Sequence, residues 1–163
     1  MEQSVTPKEK MKMETNFNFK SQICTDKIQS ERLLALGLKK ETADCNLTNF
    51  SLKGKDYQDD WQVGTVPYCE VLEEWNKFAK DSCWELITAW SLHRLIELCP
   101  QQICIGKRKY FHTLHLINNE YVAYIDDIGD AYQYHDERDL YNSLIRCIEW
   151  LIKEGYFNKE YLV

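Results

Sequence analysis

Apolar residues recur at three- and four-residue spacing in four stretches of this chain, and each spacing predicts a helix. In "TDKIQSERLLALGL", Thr25 or Asp26 can cap the start; Ile28, Leu33 and Leu36 share a face that Leu34 broadens; Gly37 suits a left-handed stop, with Leu38 folding back behind it. After Pro67, Val71, Leu72, Trp75, Phe78 and Ala79 form a second apolar face, with Glu70, Glu73, Glu74, Lys77 and Lys80 outside. A third helix follows Ser91, and a fourth runs through "DLYNSLIRCIEWLIKEGYF". In the fourth, Asp139 can cap, and Leu140, Leu144, Cys147, Ile148, Leu151 and Ile152 make a continuous stripe. Lys153 suits the negative end of its dipole, and Gly155 the stop.

Two-residue periodicity is clearest in "KYFHTLHLI" and "EYVAYID", which flank Asn118 and Asn119, a pair that tolerates the positive φ of a tight hairpin turn. "AYQYHD" adds a short third strand, and Cys45–Leu52 shows a weaker alternation followed by an exposed loop, "KGKDYQDD". Residues 1–22 lack apolar periodicity and read as a flexible tail; residues 23–163 read as one domain. The expected fold class is α+β: about four helices on a small antiparallel sheet built around the hairpin, since no βαβ alternation appears.

The stretch "TAWSLHRLIELCP" carries a serine, a histidine and a cysteine. Residues two apart on a helix point to different sides, so Ser91 and His93 cannot serve each other as nucleophile and base. Ser91 reads as an N-cap, Trp90 as a staple onto Leu95 or its neighbours, and Pro100 as the stop. Leu92, Leu95, Ile96 and Cys99 make the buried face, and His93, Arg94 and Glu97 the wetter one.

The hydrophobic fraction of 44% is enough for a core, and aromatics at 13% would give that core large rings. The net charge of −6 is concentrated between Asn118 and Asp139, where seven acids face one base, Arg138. Such a chain has no overall field that gathers nucleic acid. Seven cysteines, an odd number with no C-x-x-C pair, and no leading apolar segment predict reduced thiols in the cytoplasm. The apolar runs are too short for a membrane span.

Candidate chemistry is sparse. Cys99, Cys104, His112 and His115 are the closest metal-type residues, but their spacing is poor for zinc, and His112 and His115, three apart on a strand, face opposite sides. Asp126–Glu137 has the length of a calcium loop, yet Ile128 and Ala131 stand where a ligand and a turn glycine are required. No catalytic, cofactor or metal residues are therefore assigned. An enzyme would need a site assembled from distant residues, with His112, His115 or His135 beside carboxylates. Two binding surfaces stand out. Asp126, Asp127 and Asp130 offer an acidic face for a protein partner. Lys107, Arg108, Lys109 and Tyr110 offer bases and a ring of the kind single-stranded nucleic acid uses. Tyr156, Phe157 and Tyr161 either form a self-interface or dock the tail.

Three stretches, "ERLLALGLKKETADC", "AWSLHRLIELCP" and "DLYNSLIRCIEWLIKEGYFNKEYL", resemble a family of short proteins from gut Bacteroides-type bacteria and their phages or mobile elements. The motifs that carry the resemblance are Gly37, Leu38, Glu41, Thr42, Ala43, Asp44 and Ala89, Trp90, Ser91, Leu92; Thr88 replaces a proline common in relatives. The resemblance implies a bacterial cytoplasm and a mobile-element setting. It implies no activity and no cofactor. The expectation is a non-enzymatic accessory protein acting through protein–protein interaction, with a nucleic-acid-associated role as the alternative.

Overall fold

A computed structural model describes residues 22–52, 61–78, 82–117, 120–135 and 139–163. The expected tail lies outside the described residues as far as position 21, and so do the loop at 53–60 and the Asn118–Asn119 turn.

The first helix, α1 (Lys27–Ala35), opens with a reciprocal capping box: the Gln29 N–H donates to Asp26 Oδ1 at 2.8 Å, and the Asp26 N–H donates to Gln29 Oε1 at 3.1 Å. It ends at Gly37, whose φ of 91° lets the Leu38 N–H reach the Leu33 carbonyl at 3.2 Å. The face keeps Leu33 in the core with Leu34 and Leu36 packed against it, and departs from the expected one at its start. Gln29, Ser30 and Leu33 are buried, while Ile28 is 76% exposed. The reason is a polar anchor: Thr25 bonds Ser30 at 2.7 Å and accepts the Trp90 N–H at 3.0 Å, which holds the polar start of the helix against Trp90.

Three antiparallel strands follow in the order β2-β1-β3: β1 (Cys45–Leu52), β2 (Gln62–Thr65) and β3 (Ser82–Ala89). Helix α2 (Val66–Phe78) links β2 to β3. The Asn76 amide imitates a strand partner, donating to the Trp84 carbonyl at 2.8 Å and accepting its N–H at 2.7 Å. Phe50 stacks between Trp75 and Trp84, with ring centroids 6.1 and 5.0 Å away. Only part of the expected α2 face is used: Leu72 is buried, but Val71 and Phe78 are exposed; Ala79 lies outside the described residues.

Helix α3 (Leu92–Leu98) starts at Ser91, whose hydroxyl oxygen accepts the Arg94 N–H at 3.2 Å. Next comes a meander of four antiparallel strands: β4 (Gln102–Ile105), β5 (Arg108–Ile117), β6 (Glu120–Ile125) and β7 (Ala131–His135). The expected hairpin is β5–β6, closing at Ile117 opposite Glu120. Helix α4 (Leu140–Glu154) is capped by Asp139, which accepts the Asn142 N–H at 2.9 Å, and stopped by Gly155 at φ 77°. Phe157 is buried and Tyr161 packs edge-on against it, and the Val163 N–H donates to the Gly37 carbonyl at 2.8 Å. These aromatics dock the C-terminal segment on the end of α1.

The fold is α+β, as expected, but its strands form two sheets. The larger core lies between α3, α4 and one face of the four-stranded sheet, around Trp90, Leu95, Tyr124, Leu144 and Leu151. A smaller one, around Cys24, Leu47 and Ala89, sits under the three-stranded sheet.

Candidate functional site

The basic segment divides at Tyr110. Lys107, Arg108 and Lys109 are exposed, but strand alternation turns Tyr110 into the core, where it is 7% exposed and meets the Tyr132 ring at 5.2 Å. It therefore cannot stack on a base. Arg108 reaches across to Asp126 at 3.5 Å and Asp130 at 3.7 Å, so two of the expected four contacts are already engaged.

The acidic surface shrinks in the same way. The Asp126 side chain is 2% exposed, and its Oδ1 accepts the Asp130 N–H at 2.8 Å and the Ile128 N–H at 3.2 Å. Asp126 builds the β6–β7 turn from inside. Asp127 and Asp130 remain outside.

Thiol and imidazole chemistry collects elsewhere. Cys99, at the end of α3 where Pro100 stops the helix, points into the larger core. Cys147 belongs to the buried stripe of α4. His112 lies on β5 opposite Tyr124, its backbone N–H bonded to the Gln101 carbonyl at 2.9 Å. The two sulfurs and a ring nitrogen of His112 all lie within 4.8 Å of one another. Both cysteines are buried and His112 is partly so. The Cys99 thiol is drawn down to about 6, first by its hydrogen bond with Cys147 and then by His112, against the pull of burial. Cys147 moves up, because its proton is held in that same bond and the site is dry. The Nε2 atoms of His112 and His135 are buried and have no hydrogen-bond partner among the described residues. Burial, with Arg146 and His112 nearby, lowers His135 to about 4. Tyr124 packs its ring 5.3 Å from His112 and donates its hydroxyl to the Pro100 carbonyl at 2.7 Å, walling one side of the cluster.

Of the four metal-type residues grouped by sequence proximity, the fold unites Cys99 and His112. Cys104 is exposed on β4, and the side chain of His115 lies outside the described ones. The missing member was Cys147. Its position in an apolar stripe marks it as core, and only the packing of α4 on the sheet brings it to the other two.

A second feature is an apolar groove of about 580 Å³ beside the three-stranded sheet, walled by Ile23, Cys24, Ile28, Leu47, Trp61 and Val63. Ile23 and Ile28 are 66% and 76% exposed. Lys27 stands over the Trp61 ring, 5.3 Å from its centroid, and pairs with Glu85 at 3.4 Å. Burial raises the Cys24 thiol to about 12, with Cys45 and Asp44 adding to the effect, so this thiol is inert.

Comparison with family models, with curated proteins and with solved structures yields no match. Among the described residues, no helix is long and apolar enough to cross a membrane.

Proposed function

We propose that this chain is a non-enzymatic accessory module that holds a protein partner, and that the partner enters the groove as an extended apolar segment. The observation that carries the reading is the groove itself. Large aliphatic side chains stand exposed around it, where an isolated surface has no use for them. Val63 of β2, the outer strand of its sheet among the described residues, lines the groove. An outer strand offers backbone groups to an incoming strand, while alternate side chains of the guest fill the adjoining apolar space. Asp127 and Asp130 supply a separate polar contact. The setting is the bacterial cytoplasm and the mobile-element context that the Gly37–Asp44 and Ala89–Leu92 motifs resemble.

The test is crosslinking in the native host, identification of the captured protein, and binding of the purified pair. Ile28→Asp and Val63→Asp should each weaken binding at least tenfold, while Lys107→Ala leaves it unchanged. Wild-type affinity in both aspartate variants defeats the reading. A dimer that falls apart on Val63→Asp replaces the foreign partner with a second copy of this chain.

A further inference from the structure

We propose that Cys99, Cys147 and His112 form a binding centre for a thiophilic closed-shell cation, Zn²⁺ or Cu⁺, which ties α3, α4 and β5 together. This site is distinct from the groove and does not depend on it.

The donor set is two thiols and one imidazole, the soft and borderline ligands that such ions select over Mg²⁺ or Ca²⁺. The three atoms already lie within 4.8 Å of one another. With metal–sulfur bonds of about 2.3 Å and metal–nitrogen bonds of about 2.0 Å, a tetrahedral shell needs separations of roughly 3.3–3.8 Å. Side-chain torsions alone can close a difference of that size. The three donors come from three different elements, as in sites that cross-brace a small fold.

A plain core does not explain the imidazole. A buried ring nitrogen without a hydrogen bond is costly and uncommon, and His112 Nε2 is such an atom. The same ring sets one of its nitrogens within 4.8 Å of both sulfurs, where a cation would bind it. His135 presents a second unpartnered Nε2 on the same sheet face: it stands opposite Val122, two residues along β6 from the Tyr124 that faces His112. Cu⁺ is content with three donors. Zn²⁺ prefers four, and a water would complete its shell.

Because the sulfurs are buried, the ion would load as the chain folds. The full-length chain is therefore expressed without a histidine tag in zinc-supplemented medium and analysed for metal as purified. A second sample is refolded under reducing, anaerobic conditions with Co²⁺ or with Cu⁺. One equivalent of zinc per chain is expected, or one of Cu⁺ if three donors suffice. The Co²⁺ form should show thiolate-to-cobalt charge transfer. Cys147→Ala and His112→Gln should lose the metal, and Cys104→Ala should keep it. Native circular dichroism in wild-type protein that retains none of the three ions overturns the proposal. So does stoichiometric binding that survives Cys147→Ala.

Discussion

Asp44 grips Ser91 with both carboxylate oxygens: Oδ1 accepts the Ser91 backbone N–H at 2.8 Å, and Oδ2 accepts the Ser91 hydroxyl at 2.5 Å. The same hydroxyl oxygen accepts the Arg94 N–H, so one serine both caps α3 and clasps the segment before β1. Two residues earlier, Thr42 accepts the Trp90 indole N–H at 2.9 Å. The stretches Gly37–Asp44 and Ala89–Leu92 are thus two halves of one contact. They are a joint in the fold.

Ser91→Ala should cost about 1–2 kcal/mol, the loss of a cap plus a charge-assisted hydrogen bond. Asp44→Ala should cost at least as much, and the double variant less than the two costs added, because the residues act together. Urea unfolding of all three proteins checks this. Full additivity would mean that the clasp contributes nothing.

Core and surface should respond oppositely to truncation. Leu144→Ala removes a side chain that is 0% exposed and should cost about 2–5 kcal/mol. Ile28→Ser alters a side chain that helical spacing assigns to the core but that stands in solvent; stability should change by no more than about 0.5 kcal/mol. Unfolding midpoints measured at constant m-value decide both.

Asp126 and Asp127 of the β6–β7 turn should separate. Asp126→Ala leaves the Ile128 and Asp130 N–H groups without their acceptor and Arg108 without its nearer carboxylate, for a cost of about 1–2 kcal/mol. Asp127→Asn should be neutral. Equal effects in thermal unfolding would return Asp126 to the surface.

His135 should make the fold acid-sensitive. Its folded value, about 4, lies below the ordinary 6.5. Above pH 6.5 the ring is neutral in both states and stability does not depend on it. As pH falls from 6.5 towards 4, the unfolded chain binds a proton that the folded chain refuses, and roughly 2–3 kcal/mol is lost. Comparing wild type with His135→Gln at pH 7 and pH 5 isolates this from the carboxylates. Parallel pH dependence in the two proteins would contradict it.

Local patterns were sufficient wherever a residue's role depends on its own neighbours in the chain. The start of α1 at Thr25 or Asp26, the Ser91 cap, the Gly37 and Gly155 stops, the hairpin and the apolar stripe of α4 all rest on spacing that covalent geometry enforces. Strand β3 escaped because its apolar residues alternate poorly and its partner, β1, is a long way off in the chain. The rotation of α1 escaped because Thr25 meets Trp90 sixty-five residues later. Tyr110 and Asp126 looked like surface because composition cannot tell which way a strand or a turn faces. The Cys99–His112–Cys147 cluster is the clearest case. Cys99 and His112 stand near each other in the chain, but Cys147 reads as plain core, and only the closure of α4 over the sheet brings its sulfur to the other two donors. Sequence by itself determined the elements, through torsional preference and periodic burial. Tertiary structure decided which faces meet, because that depends on hydrogen bonds and packing between residues far apart in the chain.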